Sequence, residues 1–235
     1  GTRFERAYTV QPLCLPWRSA LQTARYPHEI GTVNNGSPIV GEFPMLGKLM
    51  SAAGYDNKYI GKWHVGTSFE AAGYDDAEDL RPDDRKTGAA VEYLKGGPAQ
   101  PFFLTVSYMN PHNVCQLSRD QELPDGPISP PPTSLDDLPP LPANFAVPPD
   151  EPTRIREVQK SIRGHYPTAD WDELKWRQYL WGYCRLVEEV DAEIGQVLGA
   201  LRDGGHEEDT LVIFVSDHGE GVAMHHWNQK QILYD

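Results

Sequence analysis

The strongest constraint on the fold lies late in the chain. Trp176, Leu180, Tyr183, Val187, Val190, Ile194, Val197 and Leu201 step by three or four residues. That spacing gathers them on one side of a single long helix, an apolar stripe that needs a broad surface to cover it. Asp170, with Glu173 three residues on, predicts a capping box at its start, and Gly204-Gly205 predicts its end. Flanking the helix are Phe102 to Tyr108 and Thr210 to Ser216, runs of aromatic and β-branched residues without strict alternation. Such runs predict strands buried on both faces, as in a parallel sheet.

Smaller elements fit between these. Ala89 to Lys95 reads as a helix ended by Gly96-Gly97. Phe43 to Gly54 reads as a short helix with Leu46, Leu49, Met50 and Ala53 on its apolar side and a left-handed stop at Gly54. Tyr59 to His64 reads as a strand containing a glycine. The alternation predicts an α/β fold, a mostly parallel central sheet flanked by helices. Ligands of such sheets bind at the carboxyl ends of the strands. Lys62 and His64, His112, and Asp217 with His218 all fall at or just past a predicted strand end.

A formal charge of −13 excludes the basic face of a nucleic-acid binder, although a few local cations can still hold an anionic substrate. The longest apolar runs are strand-length and predict no membrane span. The three cysteines, Cys14, Cys115 and Cys184, are too widely spaced for a disulfide framework or a zinc ribbon. Pro124 to Pro152 reads as a Pro-rich surface excursion within one domain spanning 1–235, the competing reading being a flexible linker. The chain opens without methionine and stops in mid-pattern, which predicts a piece cut at both ends.

Cys14-Leu15-Pro16-Trp17-Arg18 places a thiol where a helix starts, with a guanidinium one turn on. Helix starts attract anions, so the stretch suits chemistry on an anionic ester; a buried structural cysteine is the alternative. Taken alone, Lys62 reads as a surface lysine and His64 as a scaffold histidine. His28, His165 and His206 have no supporting context, and Cys115 and Cys184 read as packing residues.

Taken together, the motifs resemble the formylglycine-dependent sulfatase family of the alkaline-phosphatase superfamily. Cys14-Leu15-Pro16-Trp17-Arg18 fits its C-x-P-x-R core, continued by Leu21, Thr23 and Arg25. Gly54-Tyr55 with Gly61-Lys62-Trp63-His64 fits a second signature, with one residue between Lys62 and His64 where two are common. Asn110-Pro111-His112 is a third match, and Ser216-Asp217-His218-Gly219-Glu220 with His225, Trp227 and Lys230 is a fourth. They occur in the family's order across nearly the whole chain.

The resemblance implies an alkaline-phosphatase/sulfatase-like fold and hydrolysis of a carbohydrate or aryl sulfate ester. It implies that Cys14 is oxidised to formylglycine by a formylglycine-generating enzyme. One hydroxyl of the hydrated aldehyde would attack sulfur, and the other would later expel sulfate. Arg18 and Lys62 would hold those hydroxyls and the sulfate, and His64 would take a proton during breakdown. His112 and Lys230 would contact the sulfate and the bridging oxygen, one of them protonating the leaving alcohol, and His225 would be a further substrate contact. Asp217 and His218 would bind a divalent cation, Ca2+ or Mg2+. His218 stands where many members have asparagine, an amide oxygen that suits calcium better.

Members also carry adjacent aspartates upstream of the cysteine, and no counterpart precedes Cys14 here. Asp75-Asp76, Asp83-Asp84 and Asp136-Asp137 stand in the wrong order and read as solvated loop acids. A weak metal site and a poorly active chain are therefore expected. Two other readings remain: a phosphonate monoester hydrolase or phosphodiesterase of the same superfamily, and a non-catalytic binder of sulfated glycans. Family habit implies a secreted, periplasmic or lysosomal-type location.

Overall fold

The computed structural model describes residues 1–99 and 101–231, with the backbone alone over 162–165, so the His165 side chain lies outside what is described. Strands β1 (Asp56–Gly61), β2 (Asp76–Glu78) and β3 (Phe102–Ser107) form a parallel sheet in the order β2-β1-β3. Tyr59 pairs with Thr105 and Ile60 with Val106. The pleat sends Asn57, Tyr59 and Phe103 to one face and Lys58, Ile60 and Leu104 to the other.

Helices α2 (Leu46–Ala52) and α3 (Phe69–Ala72) lie on the first face, where Tyr59, Trp63 and Tyr74 pack edge to face with Met45, Val65 and Ala72. Asn57 Nδ2 donates to the carbonyls of Gly47 and Gly73, tying both helices to the strand. On the second face Leu94 of α4 (Asp83–Lys95) and Ala200 and Leu201 of α7 (Glu173–Asp203) pack with Phe102 and Leu104. Helices α1 (Cys14–Thr23), α5 (Val114–Leu117) and α6 (Thr153–His165) complete the set, and α6 has no counterpart among the predicted elements. Among the described residues no helix is long and apolar enough to cross a membrane.

Several sequence expectations shift. The predicted strand at 59–64 lies at Asp56–Gly61, which leaves Lys62, Trp63 and His64 on the loop beyond it. Helix α4 starts at Asp83, six residues before Ala89, since Pro82 and two first-turn acids suit a helix start. Asp172, not Asp170, caps α7, accepting from Lys175 N–H at 2.8 Å. The α7 stripe buries Trp176, Leu180 and Leu201 but leaves Val187 exposed while Leu186 turns inward. A straight helix drifts against a fixed line of contacts over this length, and its two halves face separate clusters. In α2 the inward residue is Gly47 and Leu49 is exposed, because a Cβ at position 47 would lie 2.6 Å from the Ala72 carbonyl oxygen.

The largest correction concerns Thr210 to Ser216. The run pairs with no strand among the described residues, and Leu211, Ile213 and Phe214 are 84%, 76% and 78% exposed. Apolar β-rich sequence supplies a strand's side chains, but a ladder also needs a neighbour for its N–H and C=O groups. The acids divide as well. Asp76 sits on β2 and pairs with Lys58, whereas Asp83 is buried rather than solvated.

The Pro-rich excursion is laid across α7. The Arg177 guanidinium donates to the carbonyls of Leu135, Leu138 and Pro139, and Ile128, Leu141 and Phe145 pack in the cluster around Trp176.

Gly61 closes β1 with φ +102°, and a Cβ there would sit 2.2 Å from the Ser107 carbonyl oxygen. Gly61→Ala is expected to cost about 3 kcal/mol from backbone strain and overpacking. Gly88→Ala, on an open surface of α4, is expected to add about 0.5–1 kcal/mol of stability. Urea unfolding of the two variants checks the contrast.

Candidate active site

Cys14 is the first residue of α1, follows an extended Leu13 and is 1% exposed. Three nitrogen groups from distant segments converge on its sulfur. His218 Nε2 lies 3.1 Å from Sγ, Lys230 Nζ 3.3 Å and Lys62 Nζ 3.6 Å. His64, on the solvent side with φ +45°, lies near enough to help hold negative charge on the sulfur. Lys62 and His64 arrive because β1 ends at Gly61 beside them, and His218 and Lys230 arrive on the chain after the unpaired apolar run.

Burial alone would raise the Cys14 thiol. The His218 hydrogen bond, the His64 ring and the Lys62 and Lys230 charges outweigh it and hold the group down to about 4. Residue 14 is therefore an anion at neutral pH in this setting. Burial lowers Lys62, with the sulfur charge opposing it, while the charges of Cys14 and Glu220 overcome burial at Lys230 and raise it. His218 behaves like Lys230: burial would lower it, but the bond to Cys14 and the Asp217 charge raise it.

His112 follows β3 and faces the same charges. Burial, then Lys230, Lys62 and His218, push its imidazole down to about 3, so it is neutral. Arg18 is engaged elsewhere than at the sulfur. Its Nε donates to Asp217 Oδ2 at 3.0 Å, and Nη1 donates to Ser107 Oγ and the Lys62 carbonyl oxygen, each at 2.8 Å. Burial would raise Asp217, but Arg18, His218 and Lys62 bring it below the usual carboxylate range.

The structure thus brings together Cys14, Lys62, His64, His112, His218 and Lys230, with Arg18 and Asp217 directly behind them. His225 is bonded differently: its N–H donates to Asn144 O, its ring meets Ala146 O and its carbonyl accepts from Gln159. Those contacts tie it to the excursion and α6.

Sequence reasoning gave no role to Ser107 or Glu220 and read Asp83 as a solvated loop acid. Ser107 is the last residue of β3, where a sheet of this kind presents groups to a ligand. Asp83 was legible from Pro82 before it and Lys86 three residues on, a helix-start pattern. Glu220 is raised to about 7 by burial, against the charges of Lys230 and His218; no pattern in the sequence marks it as buried.

Cys14, Asp217 and His218 each offer one ligand atom, all within 4.8 Å of one another. A carboxylate oxygen and an imidazole nitrogen suit a divalent cation, so Asp217 and His218 would hold it beside the atom at position 14. A calcium shell takes six to eight oxygens, so these residues fit part of such a site.

A family model described as Sulfatase matches residues 1–235. The chain is 30% identical to a Delta 4,5-hexuronate-2-O-sulfatase of Bacteroides thetaiotaomicron, across 100% of this chain and 52% of that protein. It superimposes on a 2-O GAG sulfatase with TM-score 0.84 and 29% identity, covering 98% of this chain and 53% of that one. It also shares the fold of the phosphonate monoester hydrolase of Agrobacterium radiobacter, with TM-score 0.66 and 19% identity over 97% of this chain and 57% of that one. The chain spans about half the length of the relatives it matches.

The unmodified thiol is expected to be half ionised at about pH 4, read from thiolate ultraviolet absorbance, and Lys230→Ala to raise that midpoint. Folded Cys14 and His112 both bind protons less readily than in the unfolded chain, so each of these two groups takes stability away as pH falls. The Cys14 contribution is complete above its ordinary value of 9.0 and is lost as pH falls to about 4; that of His112 is lost between 6.5 and about 3. Cys14→Ser is therefore expected to flatten the stability profile between those Cys14 limits.

Proposed function

Because the chain belongs to the sulfatase family, we propose that it hydrolyses a sulfate ester, on a glycan, through residue 14. The observation that carries the reading is the convergence of Lys62, Lys230 and His218 within 3.6 Å of one side-chain atom at a helix start. Such an arrangement holds negative charge on that atom and on an anionic group beside it. Sγ stands for the oxygen that residue 14 would carry once converted to formylglycine by a maturation enzyme, and the hydrated aldehyde would supply the oxygen nucleophile. A divalent cation held by Asp217 and His218, Ca2+ or Mg2+, would add positive charge at the same place.

The chain's own groups then divide the work. Lys62 and Lys230 bind the sulfate oxygens. His64, beside the residue 14 side chain, takes its proton. We assign the proton for the leaving alcohol to Lys230, whose Nζ stands 3.3 Å from the residue 14 atom, and an N–H hydrogen bond on the ester to His112, which burial keeps neutral. Arg18 positions Asp217, and we assign His225 to anchoring the excursion instead of touching substrate. All these residues belong to one part of a sulfatase catalytic domain spanning 1–235, with 124–152 a surface excursion within it.

The hexuronate sulfatase likeness supports a sulfated uronate or related glycan as substrate class. The phosphonate monoester hydrolase likeness is one of fold, and keeps a phosphodiester or phosphonate as the second reading.

In full-length protein from a host that makes the conversion, the peptide from Ala7 to Arg18 is expected about 18 mass units below its thiol form. Intact thiol would favour a non-catalytic glycan binder. The same protein is expected to turn over an aryl sulfate faster than the matching phosphodiester, and the reverse order sinks the sulfatase reading. Lys230→Ala is expected to lower kcat by about 10²–10⁴-fold.

A further inference from the structure

Away from residue 14, the most completely built polar device is the pair formed by Asp83 and Lys86 at the start of α4. Asp83 Oδ1 accepts from Lys86 Nζ at 2.6 Å and from the N–H of Met109 at 2.8 Å, while Oδ2 accepts from the N–H of Asn110 at 2.9 Å. Asp83 is 6% exposed and Lys86 0%. One carboxylate thus grips two consecutive amides just past the end of β3, and they lead directly into Pro111 and His112. The turn continues through its own bonds, His112 N–H to Met109 O at 3.1 Å and Cys115 N–H to His112 O at 3.2 Å. The Lys86 stem abuts Gly61, where a Cβ would come within 2.9 Å of its Cδ. The pair is wedged between the ends of β1 and β3.

A buried ion pair gives little stability over a well-packed apolar pair of similar volume. What a carboxylate across two neighbouring amides does supply is direction: it fixes how the chain leaves the sheet. We propose that Asp83, with Lys86 neutralising it, is a positioning residue that sets where the His112 ring stands relative to residue 14. This rests on the reading above in one respect, that His112 meets the ester.

The test is a mutant cycle in the full-length protein. Asp83→Asn with Lys86→Met removes both charges and strands neither; Asp83→Asn with Lys86→Gln, a neutral hydrogen-bonded pair, serves if the first does not fold. The folded double variant is expected to lose about 10- to 100-fold in kcat with KM within about twofold. In a His112→Ala background the same two changes are expected to cost less than about twofold, because their effect passes through that ring. A full loss in that background, or wild-type kcat in the folded double variant, overturns the proposal. A crystal structure of the double variant gives a reading that needs no turnover. A His112 ring shifted by about 1 Å supports the proposal, and an unmoved ring overturns it. Failure of the wild-type protein to cleave sulfate esters would sink the sulfatase reading alone, since the crystal structure still decides the role of Asp83.

Discussion

The site depends on the Arg18 guanidinium. Its planar fork reaches Asp217 on the late segment, Ser107 at the end of β3 and the Lys62 carbonyl just past β1, all from the second turn of α1. Segments far apart in sequence are thereby fixed to the helix that presents residue 14. Lysine could not replace it, because a single ammonium cannot serve a carboxylate, a hydroxyl and a carbonyl in one plane. The Arg18 and Asp217 side chains are 12% and 15% exposed, so their charges are little screened and each needs the other.

Residue 14 is where the chain's electrostatics reverse. The protein as a whole carries −13, yet Lys62, Lys230 and His218 gather at one buried sulfur. Cations drawn out of water repel one another and lose hydration, and that cost is offset only by an anion among them. The thiolate fills that role here, which is why its ionisation, the raised Lys230 and the neutral His112 are aspects of one balance. A group added at this point, whether an oxyanion on residue 14 or a sulfate beside it, inherits a charge environment already assembled.

Much of this was legible in the sequence, for identifiable reasons. Cys14, Lys62, His112, Asp217 and Lys230 sit in short motifs whose order survives without knowledge of their contacts, and the structure places them together. The α/β alternation and the long α7 were equally visible, because periodicity reports burial. Tertiary geometry was not visible. Asp83 shows in sequence as a helix-start acid at most, and only the amides of Met109 and Asn110 reveal its role. Leu211 to Val215 failed in the opposite way, since their composition states what a strand would bury but not which strand stands beside it. Gly47 turned inward over Leu49 because close approach of two helices outweighed hydrophobicity.

The buried cations gathered at residue 14 respond to negative charge, whatever the central atom of the group that bears it. A sulfate monoester, a phosphodiester and a phosphonate monoester all present a tetrahedral group bearing one negative charge, and a set of buried cations responds to that shared feature. Discrimination must then come from what surrounds the leaving group. The Pro-rich excursion is tied to the segment that carries Lys230. Arg177 pins it to α7, and Asn144 and Ala146 grip His225, five residues before Lys230. A substrate pressing on the excursion would act on the same stretch of chain that delivers the Lys230 ammonium.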